Sequence, residues 1–275
     1  MTIVVEGKKI AKAMQHRLAE KVAHIDGQLF FHIVYVGSDP VIENYLSYKE
    51  KYAAAIGVEV VVHRFPESIS ENDLLHEISV ISEKKEPMIV QLPLPETVST
   101  RTIVDAVPAS LDVDVLSSEA RALFVEGEQR YVPPVVGSVL EIFDYYSINL
   151  EAKKILVVGS GNLVGAPMVL WLQSHNYPYE LVTKDDDEDR RNTLLAEADV
   201  IISGAGVPGL ITPDCVKEGV IIVDAGTSES GSRIVGDVDP QVKEKSSLFT
   251  PVPGGIGPLT IAVLYRNVIH SYLYV

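Results

Sequence analysis

One cysteine, Cys215, is all this sequence contains. An intramolecular disulfide is therefore excluded, and the composition fits a reducing compartment. Basic residues are scarce beside acidic ones: 23 Lys and Arg stand against 38 Asp and Glu, a formal net charge of −15 at pH 7. That balance argues against nucleic acid or an anionic membrane surface as the main partner, because both attract basic patches. A local basic site for an anionic small molecule stays open. No uninterrupted apolar run is long enough to span a bilayer. The stretch from Met1 to Lys9 has no apolar signal core. There is no internal repeat, no low-complexity tract and no assigned metal site. The expectation is a soluble, cytoplasmic protein without a membrane or nucleic-acid partner. Its apolar content allows a sizeable core, and its 275 residues allow two modest domains or one large one.

Strand-like and helix-like segments alternate, which predicts an α/β fold with largely parallel sheets. Helical spacing covers 8–24. The run His32 to Val36 reads as a strand stopped by Gly37-Ser38-Asp39-Pro40. A helix is expected from about Val41 to Ile56, ended by Gly57 as C-cap. Strands at 58–65 and 88–92 flank a helix at 69–85. After a helix at 136–148, Lys154 to Val158 forms a buried strand, followed by the turn Gly159 to Gly165 and an apolar helix with Met168 and Trp171. Further strands are expected at 179–183, 200–202 and 220–223. The fold class is thus a three-layer α/β domain over 1–135 and a Rossmann dinucleotide-binding domain over 136–275. A C-terminal helix over about 260–275 is expected to pack back on the first domain.

Four groups of residues carry chemistry. The run Thr250-Pro251-Val252-Pro253-Gly254-Gly255-Ile256-Gly257-Pro258-Leu259-Thr260 holds three prolines and three glycines. It reads as a loop of nearly fixed path that suits close approach to a flat ligand, or as a rigid turn. Gly159-Ser160-Gly161 follows a strand and opens a helix, which fits either a pyrophosphate cradle or a structural tight turn. The next strand ends in Lys184-Asp185-Asp186-Asp187-Glu188-Asp189. Acid there bonds a ribose 2′-hydroxyl and repels a 2′-phosphate, favouring NAD over NADP. The same run also fits a solvated loop. Tyr45 and Lys49 share a helix face. A desolvated lysine at a sheet edge can exchange protons, although a surface lysine has the same signature. Gln91, at a strand end before Pro93, is placed to orient that amine. Asp112 and Asp114 also read as a turn pair.

Together these residues resemble the bifunctional methylenetetrahydrofolate dehydrogenase/methenyltetrahydrofolate cyclohydrolase family over nearly the whole chain. The matches are Val36 to Pro40, Tyr45, Lys49, Val90-Gln91-Leu92-Pro93-Leu94-Pro95, Asp112-Val113-Asp114, Gly159 to Pro167, Val223-Asp224-Ala225-Gly226, Gly236-Asp237-Val238 and the Thr250 to Thr260 loop. The resemblance implies a two-domain enzyme with a folate cleft between its domains. Tyr45 would stack on tetrahydrofolate derivatives, Lys49 would be the catalytic lysine, and Gln91 would hydrogen-bond it. Asp114 would hold the pterin edge, and Pro253, Gly254 and Gly255 would wall the cleft. Gly159, Ser160 and Gly161 would line NAD(P)+, with Lys184 and Asp185 near the 2′ position and Thr227 near the nicotinamide half. A homodimer through the cofactor domain is also implied.

Three positions depart from the family pattern. Val115 replaces the usual glycine after Asp-Val-Asp, and Pro133-Pro134-Val135 stands where Cys-Thr-Pro is common. Ser160-Gly161 lacks the arginine often found after the first glycine, in keeping with NAD. The first two departures leave room for a folate- or nucleotide-binding paralogue that has lost one or both activities. A dehydrogenase for another substrate on the same cofactor fold would not explain the string from Gln91 to Pro95.

Overall fold

The computed structural model describes residues 2–128, 130–230 and 233–273. In chain order its elements begin with β1 (Ile3–Val4), α1 (Gly7–Val22), β2 (Leu29–Val36), α2 (Pro40–Ile56), β3 (Val58–Phe65), α3 (Glu71–Ser82) and β4 (Met88–Val90). Then come α4 (Thr100–Asp105), α5 (Ser118–Glu126), α6 (Pro134–Tyr145), β5 (Ile155–Val158), α7 (Gly165–Ser174), β6 (Tyr179–Val182), α8 (Glu188–Glu197) and β7 (Val200–Ser203). The chain continues with β8 (Val220–Asp224), β9 (Ser228–Ser230), β10 (Arg233–Val235), β11 (Ser246–Phe249) and α9 (Ile256–Leu273). These elements divide into two compact units: Lys12–Pro133 with the chain from Ile261 on, and the chain up to Ala11 with Pro134–Thr260. Among the described residues no helix is long and apolar enough to cross a membrane.

The first unit is built on a parallel sheet of order β3-β2-β4. Side chains alternate across β2, as the period of a strand requires. Phe31, Ile33 and Tyr35 pack with Leu46, Ala53 and Ile56 of α2 and with Leu264, Tyr265, Val268 and Ile269 of α9. Val34 and Val36 face the opposite layer, with Leu74, Ile78 and Ile81 of α3 and Ile103 and Val104 of α4. Helix α2 starts where Asp39 accepts hydrogen bonds from Val41 N–H (2.7 Å) and Ile42 N–H (3.4 Å). It ends at Gly57 in the left-handed region, whose N–H returns to the Ala53 carbonyl.

Helix α9 completes this core. The Tyr265 ring stands edge-on to Phe31 and stacks on Tyr52, with centroids 5.6 and 5.2 Å apart. Its hydroxyl donates to the Lys49 carbonyl at 2.8 Å. Asn267 is buried and its amide donates to the Val113 (2.9 Å) and Val132 (2.8 Å) carbonyls. The helix begins at Ile256, earlier than the expected 260, so Gly257 and Pro258 are helical and not loop. Proline is tolerated there because first-turn N–H groups have no intrahelical partner to lose. Residues 274 and 275 of the expected helix lie outside the described residues.

The second unit carries a parallel sheet of order β1-β11-β8-β7-β5-β6. Strand β1 pairs with β11, Ile3 opposite Leu248 and Val4 opposite Phe249. Residues up to 11 therefore join this unit, although the sequence pattern assigns 1–135 to the first. A two-residue strand has no periodicity to announce it. The core of one layer gathers Leu156, Val158, Ile201, Ile222 and Phe249 of the sheet with Leu195 of α8. The chain leaves β5 for β6 on one side and then returns to β7 on the other. The crevice beyond the carboxyl ends of β5 and β7 is thus the topological switch point, where open α/β sheets take their ligands.

The fold makes Asn267 a test of the first unit. Asn267→Ala strands one buried carbonyl and one partly buried one, at an expected loss of about 2–4 kcal/mol in folding free energy. Urea unfolding followed by the circular dichroism of both proteins measures it. A loss under about 1 kcal/mol would mean that these bonds do not hold α9.

Candidate active site

The first unit brings Lys49, Gln91 and Asp114 together. Lys49 lies on α2, one turn after the half-buried Tyr45. Gln91 follows the last ladder residue of β4, and its N–H still donates to the Val34 carbonyl at 2.9 Å. That anchor aims the side chain off the carboxyl edge of the sheet. The Lys49 Nζ donates to Gln91 Oε1 at 2.7 Å. Gln91 Nε2 donates in turn to the Leu92 carbonyl at 2.7 Å, so the amide presents its oxygen to the lysine. The Leu92–Pro93 and Val252–Pro253 peptides are cis.

Charge at this cluster is governed by desolvation. Burial holds the Lys49 amine below the ordinary lysine range, and the nearby Asp114 carboxylate partly opposes that shift. Burial likewise pushes Asp114 up to about 6, against the pull of Lys49. The two groups form no direct ion pair among the described residues. Asp112 and Asp114, equivalent in sequence, separate here. Asp112 is buried and accepts from the backbone N–H groups of Asp114 (3.3 Å), Leu116 (2.9 Å) and Ser117 (2.7 Å), so it is the turn former. Among the described residues the Asp114 carboxylate accepts no such backbone bond.

Val115 shows what its departure from glycine entails. It adopts a φ of 56°, left-handed, with its side chain buried. That conformation costs an L-residue about 1–2 kcal/mol, while burying a valine side chain returns about 1.5–3 kcal/mol. The two effects nearly offset, so the position keeps its backbone shape without glycine. Pro134 opens α6, where the Ser138 hydroxyl donates to its carbonyl at 2.6 Å.

In the second unit the Gly159 turn caps β5. Gly159 has a φ of 94°, and a Cβ there would lie 2.7 Å from the Gly204 carbonyl oxygen and 2.8 Å from Ala205 Cα. The turn therefore rests on the segment leaving β7, at the switch point. Ser160 and Gly161 are exposed, and α7 begins only at Gly165, four residues later than a helix opened directly by Gly161. Gly165 packs on the same turn: a Cβ there would run into the Gly159 carbonyl. Positive φ, a close-packed backbone and an exposed turn before a helix fit a dinucleotide pyrophosphate. The part played by Gly204 was not read from the sequence, though a glycine directly after an apolar strand is its signal.

The acidic run at the end of β6 divides by task. Asp186 accepts from Thr183 N–H at 2.7 Å and from its hydroxyl at 3.1 Å, and pairs with Arg190. Asp187 caps α8 through Arg190 N–H at 2.7 Å, so Glu188 and Asp189 open a helix where a solvated loop is one sequence reading. Lys184 and Asp185 are exposed, and the Asp185 carboxylate makes no hydrogen bond or ion pair among the described residues. Thr227 is exposed beyond β8. The Pro-Gly loop leaves β11 at the buried Thr250 and closes with Gly255 N–H on the Pro251 carbonyl at 2.7 Å. Pro253 is exposed, Gly254 has a φ of 112°, and Gly255 is buried.

Known proteins match along the whole chain. Residues 5–114 match the family model for the catalytic domain of tetrahydrofolate dehydrogenase/cyclohydrolase, and residues 133–274 match the model for its NAD(P)-binding domain. The bifunctional protein FolD of Nautilia profundicola is 37% identical over 278 residues, covering 98% of this chain and 97% of that one. The crystal structure of a bifunctional methylenetetrahydrofolate dehydrogenase/cyclohydrolase from Campylobacter jejuni superposes with a TM-score of 0.94 at 31% identity, covering 99% of each chain. A Trypanosoma brucei methylenetetrahydrofolate dehydrogenase-cyclohydrolase complexed with NADP and an inhibitor gives 0.93 at 26% identity, over 99% of this chain and 97% of that one.

The electrostatics of the Lys49 cluster can be measured without substrate. Reductively ¹³C-methylated protein is expected to show one lysine resonance, absent from Lys49→Ala, that titrates below the others. Asp114→Asn removes the charge that favours the ammonium, so this titration is expected to move to still lower pH. A shift upward, or none, would mean that Asp114 does not act on Lys49.

Proposed function

Because the chain belongs to the tetrahydrofolate dehydrogenase/cyclohydrolase family, we propose that it oxidises 5,10-methylenetetrahydrofolate to 5,10-methenyltetrahydrofolate with a nicotinamide dinucleotide and hydrolyses the product to 10-formyltetrahydrofolate. The observation that carries the hydrolytic half is the desolvated Lys49 amine held at 2.7 Å by the Gln91 carbonyl. Tyr45 stacks on the pterin and Asp114 hydrogen-bonds its edge.

Hydrolysis adds water to the methenyl carbon. The neutral Lys49 amine takes a proton from that water as the C–O bond forms. The adduct opens by breaking the bond from the carbon to N5 while its hydroxyl becomes the formyl carbonyl. Of the two water protons, one ends on N5 and the other is released, which balances the loss of the cation's charge. Gln91 keeps the amine aimed. Burial favours its neutral form, and a neutral amine beside a cationic substrate avoids like-charge repulsion.

When bound, the dinucleotide supplies the hydride acceptor of the first step. Gly159, Ser160, Gly161 and Thr227 would hold it. We further propose that NAD is preferred to NADP. Asp186 and Asp187 are engaged in the turn and the cap, and Arg190 is held by Asp186, Glu180 and the Leu181 carbonyl. Asp185, exposed just beyond β6, is the carboxylate proposed to bond a ribose 2′-hydroxyl, with Lys184 beside it. The proposed working form is a cytoplasmic homodimer joined through the second unit.

The first assay is reduction of NAD and NADP in parallel with 5,10-methylenetetrahydrofolate. Faster reduction of NAD is expected, and Asp185→Ser should narrow the difference; faster NADP reduction would discard the Asp185 argument. Lys49→Ala is expected to lower methenyltetrahydrofolate hydrolysis by at least ~100-fold. Wild-type hydrolysis in that variant would remove Lys49 from the mechanism.

A further inference from the structure

Two carboxylates at the heart of the second unit take no part in the chemistry above. Asp237 is fully buried and Asp224 is 2% exposed. Among the described residues neither enters a salt bridge. Asp237 Oδ2 accepts from the Ser203 hydroxyl and from Ala205 N–H, both at 2.7 Å, and its Oδ1 accepts from Val207 N–H at 2.8 Å. Asp224 accepts from the N–H groups of Gly226 (3.0 Å), Asp237 (3.2 Å) and Val238 (3.0 Å). The Thr250 hydroxyl oxygen accepts from Asp224 N–H at 2.7 Å, tying in the start of the Pro-Gly loop.

These bonds form one chain of support. The Asp224 side chain seats the backbone of Asp237. The Asp237 side chain draws in the 203–207 segment. That segment is what Gly159 rests on, through Gly204 and Ala205. A buried carboxylate without a cation costs several kcal/mol unless donors surround it, and a leucine would fill the space without that cost. What a leucine cannot do is hold three separate donors from residues 203, 205 and 207 at once. The carboxylate therefore fixes a loop whose own sequence, Gly204-Ala205-Gly206-Val207-Pro208-Gly209, has little side chain with which to fix itself.

We infer that Asp237, seated by Asp224, is a positioning residue for the nicotinamide dinucleotide, holding the 204–207 turn against Gly159 at the crevice between β5 and β7. The inference rests on the dehydrogenase reading above. It leaves the Lys49 chemistry untouched, and this separates a positioning role from a merely structural one.

Asp237→Asn preserves volume but gives up one acceptor oxygen, setting an NH₂ group against a backbone N–H. Calorimetric titration with NAD and with NADP is expected to show Kd raised at least ~10-fold for the dinucleotide the wild type binds. Hydrolysis of methenyltetrahydrofolate, which consumes no dinucleotide, is expected to stay within about twofold of wild type. Ser203→Ala, which removes one donor and spares both backbone anchors, is expected to raise Kd about threefold and decides the matter if Asp237→Asn does not fold. An unchanged Kd in the folded variants overturns the positioning role while the dehydrogenase reading stands. Hydrolysis falling in step with dinucleotide binding also overturns it, in favour of general loosening. A wild type that binds neither dinucleotide overturns the inference together with the reading beneath it.

Discussion

Parallel pairing is the constraint on which the rest of this molecule depends. A chain that pairs its strands in parallel must return over the sheet each time, so within each sheet every strand exits by the same edge. In the first unit that edge carries Gln91 after β4, and it is where β2 passes through the Asp39 cap into the helix of Tyr45 and Lys49. In the second unit it carries Gly159, Gly204, Asp224 and Thr250 at the ends of β5, β7, β8 and β11. Residues distant in sequence thus become neighbours without long loops.

The buried carboxylates show how such an edge is used. Asp112, Asp224 and Asp237 each accept from backbone N–H groups and hold turns in shape. Asp114 is not consumed in that way, and its proton affinity is set by burial and by Lys49. A charge already satisfied by the backbone serves the fold, whereas one left unsatisfied in a desolvated place retains energy for binding. Asp186 and Asp187 are likewise taken up by Thr183 and the α8 cap, whereas Asp185 is exposed to solvent.

Much of this was legible in the sequence because it is local. The alternation of β2, the Asp39-Pro40 start and Gly57 stop of α2, and the strand–turn–helix order around Gly159 are each written within a few residues. Lys49 and Gln91 could be singled out by type and place, and the geometry brings them within a hydrogen bond. What escaped is non-local or short. Strand β1 exists only through β11, and α4 and α5 are too brief for a helical period to stand out. The α9 start was hidden because Gly257 and Pro258 read as loop until their first-turn position is known. Asn267 and Asp237 act through carbonyls and N–H groups that no sequence pattern announces.

Each unit borrows the far end of the chain: residues up to 11 complete the second sheet, and residues from 261 complete the first core. This has a consequence for birth on the ribosome. The first unit's sheet is synthesised early, but Leu264, Tyr265, Val268 and Ile269, which cover one of its faces, emerge only after residues 134–260 have been made. At about 5–20 residues per second that face stays only partly covered, by α2, for many seconds. The nascent protein must therefore carry a partly open apolar surface while the whole of 134–260 is made, and its final segment closes the earlier unit.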